Sequence, residues 1–287
     1  MKKTVLFLLA ITLLMSAFTP VLAQDGITVN LNGEKLVFED QEPVIVDDRT
    51  MVPFRAIAEA LGCIVEWYPE MAEVYVAYGF QNGAKIIVFS VNNYEIRIID
   101  YFNGDKGMDQ TIESIKGDVP PRIINDRTMI PLRSLADSMG ADVSWDGDTK
   151  TVDINLDNSG FVTATDDDCI EYLTDNYYKT KYVFVKDKEK AESIARQAKS
   201  GKDFDELINE NTEDENCEYA YTDGEMIPVF EETVKNLSIN EVTQTPVETE
   251  DGYYIIKRLS FDIEADAELI DDIRTMVLFK KSGLDVE

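Results

Sequence analysis

Residues 48–67 read DRTMVPFRAIAEALGCIVEW, and residues 126–145 read DRTMIPLRSLADSMGADVSW. The two align without a gap at an offset of 78 residues, and about half the positions are identical. Most of the remaining differences stay within one physical class, such as Val52 for Ile130, Phe54 for Leu132 and Leu61 for Met139. Asp-Arg-Thr reads as a polar turn, with Pro53 and Pro131 in the first helical turn, where a missing N–H is tolerated. Apolar residues then recur at helical spacing, Phe54, Ile57, Ala58 and Leu61 in one copy and Leu132, Leu135, Ala136 and Met139 in the other. Gly62 and Gly140 follow as C-terminal caps. Two strands close each copy, IVEWY and EVYVAY in the first, DVSWD and TVDINL in the second. Neither copy is long enough to bury a core alone, so together they predict one pseudo-symmetric α+β domain.

Around the repeat the chain is strand-like. ITVNLNGEKLVF predicts a hairpin turning at Asn32-Gly33, and KIIVFSVNNYEIRIID one turning at Asn92-Asn93. Residues 103–117 are polar and read as a loop. Arg49 and Arg127 each follow an aspartate, and Arg55 and Arg133 precede Glu59 and Asp137 by one helical turn. These arginines read as structural ties more readily than as a binding site. The pattern D-R-T-M-[VI]-P-x-R, short helix, Gly, V-x-W resembles the copper amine oxidase N-terminal, or stalk, domain of bacterial surface and secreted proteins. The resemblance covers about residues 27–157, in a domain drawn at 24–157, and implies a structural or envelope-associated module rather than a catalyst.

The N-terminus opens with Lys2 and Lys3, an apolar run over residues 5–18, and small residues ending at Ala23. This predicts a signal peptide over residues 1–23 and a secreted or cell-surface protein with no membrane span after cleavage. With 56 acidic and 27 basic residues, the formal charge of -29 repels nucleic acid and anionic membranes. Cys63, Cys169 and Cys217 are too few and too scattered for a disulfide framework. Histidine is absent altogether, which excludes Ser-His-Asp and Cys-His catalysis and histidine-bound zinc or copper. Amine oxidase activity goes with the copper, so Asn93-Tyr94-Glu95 is a strand start and not a quinone precursor. No cofactor and no metal is implied. Asp166, Asp167 and Asp168 lack the glycine and distal glutamate of a calcium-binding EF-hand loop and read as a helix cap.

Residues 158–180 read as a linker and a short helix. From Lys181 the pattern runs strand, three helices and two extended segments, predicting a second α+β domain with an antiparallel sheet over residues 181–260. An apolar helix closes the chain within residues 261–287. KAESIARQAKSGKDFDELINENTED, GEMIPVFEETVKNL and GYYIIKRL together resemble a parvulin-type peptidyl-prolyl isomerase. Behind an export signal, that resembles the extracellular foldases of Gram-positive bacteria. The resemblance implies a proline pocket lined by Met226 and Phe230. It places the two family histidines at Tyr182 and Tyr254, and the acidic or cysteine position at Asp214. The family's Gly-Gly-Asp-Leu-Gly loop is replaced by NCEYAYTD. Isomerisation requires only that an amide be gripped and twisted, so the tyrosines leave three outcomes open. One is a foldase-like binder of extended, exported polypeptide with weak or absent isomerase activity. Another is an active isomerase using Tyr182, Asp214 and Tyr254. The third is a non-catalytic envelope module with cell-wall components as partners.

Overall fold

The computed structural model describes residues 26–286, so the expected leader at residues 1–23 lies outside it. The described residues form an α+β protein of four sheets and seven helices. Each repeat copy begins one element earlier than expected. Arg49–Pro53 and Arg127–Pro131 are strands, each entered from a preceding strand, Val44–Val46 or Arg122–Ile124, through a two-residue turn. Those turns are Asp47-Asp48 and Asn125-Asp126, with φ of 51° and 60° in both copies. Two left-handed residues make the tight hairpin whose twist matches its strands, and Asp and Asn tolerate that conformation. The turn therefore starts one position N-terminal to Asp-Arg-Thr and keeps only its aspartate, Arg49-Thr50 and Arg127-Thr128 being strand residues. Pro53 and Pro131 sit at the N-caps of helices α1 (Phe54–Ala60) and α2 (Leu132–Met139).

The two copies meet through these strands. Val52 faces Ile130, while Met51 faces Pro131 and Pro53 faces Met129. This reciprocal register is a local two-fold axis through the Val52–Ile130 pair, both fully buried. Across the axis Arg49 pairs with Asp118, and Arg127 pairs with Asp40 at 2.8 Å. The aspartates preceding the arginines contribute a backbone carbonyl rather than a carboxylate. Arg55 does bond Glu59, at 3.4 Å. Helices α1 and α2 end alike, with Cys63 N–H donating to the Ala58 carbonyl and Ala141 N–H to that of Ala136, both at 2.9 Å. Gly62 and Gly140 supply the positive φ that this closure needs.

Beyond the helices the symmetry breaks. The second hairpin, Asp142–Asp146 with Thr151–Asn155, takes Thr28–Leu31 as a parallel neighbour. The first hairpin, Ile64–Tyr68 with Glu73–Phe80, continues antiparallel into Gly83–Ser90, Glu95–Gly104 and Gly107–Lys116. The segment read as a loop at 103–117 is thus largely the last strand of a five-stranded sheet. One face of that sheet joins the core under α1 and α2 through Val74, Val76 and Ile87. The other carries Ala77, Ile86 and Val88 and is covered by α3 (Asp166–Asn176) and the helix Ala267–Lys281 at the chain's end. Asp168 closes a capping box with Thr165 at the start of α3 and binds Lys281 at 2.5 Å, while Asp166 binds Arg274 at 2.7 Å. The aspartate run therefore caps α3 and ties it to the terminal helix.

Cys63 lies in the first core, where burial pushes its thiol up to about 12 from 9.0. The folded state keeps a proton that the unfolded chain loses near pH 9. The stabilisation is complete below that and is lost as pH rises toward 12, by up to about 1.4 kcal/mol per pH unit. Buried Tyr78, also shifted upward, adds the same sign at higher pH. Urea midpoints should fall steeply from about pH 9 to pH 11, and less so in Cys63→Val; a flat profile would contradict this.

The second domain is a four-stranded antiparallel sheet in the order Glu218–Tyr221, Tyr178–Val185, Tyr253–Leu259, Val247–Glu248. Val183, Val185 and Ile255 face α4 (Lys188–Lys199) and α5 (Phe204–Asn211). Tyr182, Phe184 and Ile256 face α6 (Pro228–Lys235) on the other side. The terminal helix is α7.

Candidate functional site

The face under α6 gathers the residues expected of a proline pocket. Pro228 at the first turn presets α6, and the Glu231 carboxylate accepts from the Gly224 and Met226 amides at 2.8 and 2.9 Å. Glu231 therefore fixes the GEMIP loop that presents Met226. Tyr182 and Tyr254 come from neighbouring strands, where period-two alternation turns both toward α6.

Tyr182, Tyr254 and Phe230 meet edge to face. Ring centroids lie 5.1 Å apart for Tyr182–Tyr254, 5.8 Å for Tyr182–Phe230 and 5.6 Å for Phe230–Tyr254. Met226 joins this cluster half-buried, and Phe230 is only 1% exposed. The Tyr182 hydroxyl lies 3.1 Å from an Asp214 carboxylate oxygen and 3.0 Å from the Asn216 carbonyl. It has one hydrogen to share between these two acceptors, so its proton is directed into the chain. Burial, then the Asp214 charge, push the Tyr182 hydroxyl far above the ordinary phenol range. Burial raises Tyr254 as well, and raises the Cys217 thiol that contacts Thr212 Oγ1 at 3.2 Å. At neutral pH the site thus holds neutral phenols and a neutral thiol around Asp214.

All five expected residues come together here. Two further tyrosines belong with them. Tyr219 stacks parallel to Tyr182 at 6.2 Å, and Tyr221 packs on Phe230 at the same centroid distance. The Tyr221 hydroxyl and that of Thr180 are buried without a hydrogen-bond partner among the described residues. Both tyrosines lie on the strand Glu218–Tyr221, where the resemblance implied a replaced loop. The alternation Glu-Tyr-Ala-Tyr was the available signal for a half-buried strand.

Comparison with known proteins agrees with both halves. Residues 30–154 match the copper amine oxidase N-terminal domain, and residues 170–260 match the PPIC-type PPIASE domain. The chain is 34% identical over 106 residues to a foldase protein PrsA of Halalkalibacterium halodurans, covering 33% of this chain and 32% of that protein. It is 29% identical over 110 residues to the periplasmic chaperone PpiD of Haemophilus ducreyi, covering 36% and 18%. The crystal structure of PrsA from Bacillus subtilis aligns with a TM-score of 0.31 at 25% identity, over 42% of this chain and 50% of that one. The chain spans about a third of the length of the first of these relatives. Among the described residues no helix is long and apolar enough to cross a membrane. By sequence match, the chain carries a copper amine oxidase N-terminal domain over residues 30–154 followed by a PPIC-type parvulin domain over residues 170–260, with relatives among the PrsA foldases.

Proposed function

We propose that this protein is an exported foldase of the chaperone kind, binding extended polypeptide outside the cytoplasm, with prolyl isomerase activity weak or absent. One observation carries the reading: the only hydroxyl proton of Tyr182 is committed to Asp214 and the Asn216 carbonyl. A catalyst of amide rotation needs a donor or field aimed at the twisting amide. Here that donor is spent within the chain, and no imidazole replaces it. Apolar surface persists beside the cluster, where Ile227 and Val229 stand exposed on either side of Pro228. The relatives named foldase and chaperone support the polypeptide as the class of ligand.

The test is a proline-tetrapeptide isomerisation assay on residues 24–287, with binding of an unfolded polypeptide measured on the same sample. The uncatalysed reaction takes about 10–100 s at 25 °C, and the protein is expected to leave it within about threefold while still binding. Strong catalysis that falls in Tyr182→Phe would restore an active isomerase. The enclosure of Phe230 favours a second reading, a non-catalytic interaction module, and absence of both catalysis and binding would select it.

A further inference from the structure

The parvulin face under α6 is closed by its own rings, whereas two clefts with largely aliphatic and aromatic walls lie on the N-terminal domain. A groove of about 910 Å³ is lined by Pro53, Arg55 and Trp67 of the first repeat copy and by Ile123, Arg127 and Thr128 of the second. A groove of about 340 Å³ is lined by Ile45, Arg49 and Thr50 of the first copy and by Pro131, Arg133 and Trp145 of the second. Each residue of one set lies 78 positions from its counterpart in the other. The grooves are therefore one site built twice, at opposite ends of the strand pair around the Val52–Ile130 axis, and each needs both copies.

Core positions of the repeat both vary and persist: Val52, Ile57 and Leu61 become Ile130, Leu135 and Met139, whereas Met51 and Ala58 recur as Met129 and Ala136. Arg55 and Trp67, which open onto a groove, are repeated unchanged as Arg133 and Trp145. The identity of Arg49 and Arg127 is explained by the ion pairs that tie the copies together. Trp67 packs half-buried against the core that both copies share, whereas Trp145 is 44% exposed. Ile45 and Ile123, at 58% and 53% exposure, stand at equivalent places beside them.

We infer that the twin grooves are docking sites for an extended, apolar-rich polypeptide segment whose cationic side chains enter the larger groove. This rests on the foldase reading and moves its main binding surface to the N-terminal domain. The walls are aliphatic as well as aromatic, with Val143 and Val152 in one groove and Leu36 and Val37 in the other. Such walls suit apolar side chains better than sugar rings. In the larger groove Asp40 and Glu59 are taken up by Arg127 and Arg55, which among the described residues leaves Glu39 and Asp126 uncompensated along its lining, whereas the smaller groove sets Asp48 against Arg49 and Arg133. The acidic excess of the larger groove favours lysine or arginine in the part of the occupant that lies there.

The protein contains only two tryptophans, one lining each groove, and Trp67 also borders a cleft with Tyr68 and Arg274, so the isoleucine variants below assign an emission change to the grooves. The probe is the tryptophan-free peptide Lys-Val-Thr-Val-Lys-Leu-Thr-Val-Lys, about 30 Å when extended. Titration into residues 24–287 should shift the emission, and Trp67→Phe and Trp145→Phe should each remove part of the shift. Ile45→Asp combined with Ile123→Asp changes only exposed side chains and should weaken binding at least about tenfold, since the occupant would bury both isoleucines. A glutamate-for-lysine version of the peptide should bind more weakly. Binding seen by calorimetry with no change in tryptophan emission, and abolished by Ile227→Asp with Val229→Asp, would overturn the inference and leave the foldase reading standing. A β-1,4-linked N-acetylglucosamine hexamer moving the tryptophans where the peptide does not would also overturn it. No binding of the peptide by any route would overturn the inference alone where the unfolded polypeptide is still bound, and both readings where it is not.

Discussion

Replacing Lys179 by methionine should destabilise the protein by about 3–5 kcal/mol. Lys179 opens the central strand of the parvulin sheet, and Asp266 precedes α7, which belongs to the other domain's core. Their side chains are 9% and 8% exposed and meet at 2.7 Å. Glu218 approaches the same ammonium at 3.4 Å, and Asp266 also accepts the Asp262 amide at 2.7 Å. Both ions have lost most of their water, so removing the cation strands a buried carboxylate. The loss comes mainly from that stranded charge, because a buried pair as a whole contributes little against an apolar replacement. Lys179→Met combined with Asp266→Leu should therefore recover most of the single variant's loss. Urea unfolding of the four proteins of this cycle measures both effects. A single-variant loss below about 1 kcal/mol would show that the pair is solvated in solution and that the domain junction does not depend on it.

The fold was legible where a local signal existed. The repeat, its helices, the Gly62 and Gly140 closures and the Asn32-Gly33 hairpin follow from spacing and turn chemistry within a few residues. Arg49–Pro53 did not, because Met51 and Val52 are both buried and belong to different cores, so the strand shows no alternation. Its partner strand lies 78 residues away, beyond any local pattern. The strand Gly107–Lys116 was missed for the opposite reason: it is exposed along nearly its whole length, and polar residues on both faces look like a loop. The partners of α3 and α7 were equally hidden, since Cys169 and Leu173 meet Ile273 and Val277 about a hundred residues on. At the site, the positions of Tyr182, Asp214, Tyr254, Met226 and Phe230 came from family resemblance. The hydrogen bond that commits the Tyr182 proton spans 32 residues, and only the folded chain reveals it. The grooves left no trace that separates them from the core, because buried Met51/Met129 and Ala58/Ala136 recur as faithfully as Arg55/Arg133 and Trp67/Trp145.

Phe230→Ala should cost about 3–5 kcal/mol of stability, the range for truncating an enclosed phenylalanine. Its ring is 1% exposed and touches Tyr182, Tyr221 and Tyr254, each edge to face. Such contacts add about 0.5–1.5 kcal/mol apiece beyond area burial, though not additively. Phe230→Leu should lose less, because a leucine fills much of the space, and Met226→Ala, at a half-buried position, should lose less than about 1 kcal/mol. The comparison separates two roles for the same side chain. A phenylalanine lining an open proline pocket would show its truncation chiefly in peptide affinity, because solvent or ligand already occupies one side of the ring. A phenylalanine sealed by three tyrosines shows it in the urea midpoint, because the void left behind has no such occupant. If Phe230→Ala leaves the midpoint nearly unchanged and weakens peptide binding instead, the tyrosine rings move aside in solution and the proline pocket is open. If it lowers the midpoint as expected, Phe230 is a core residue of the parvulin domain, and a ligand reaches this face only through Met226 and the exposed Ile227 and Val229.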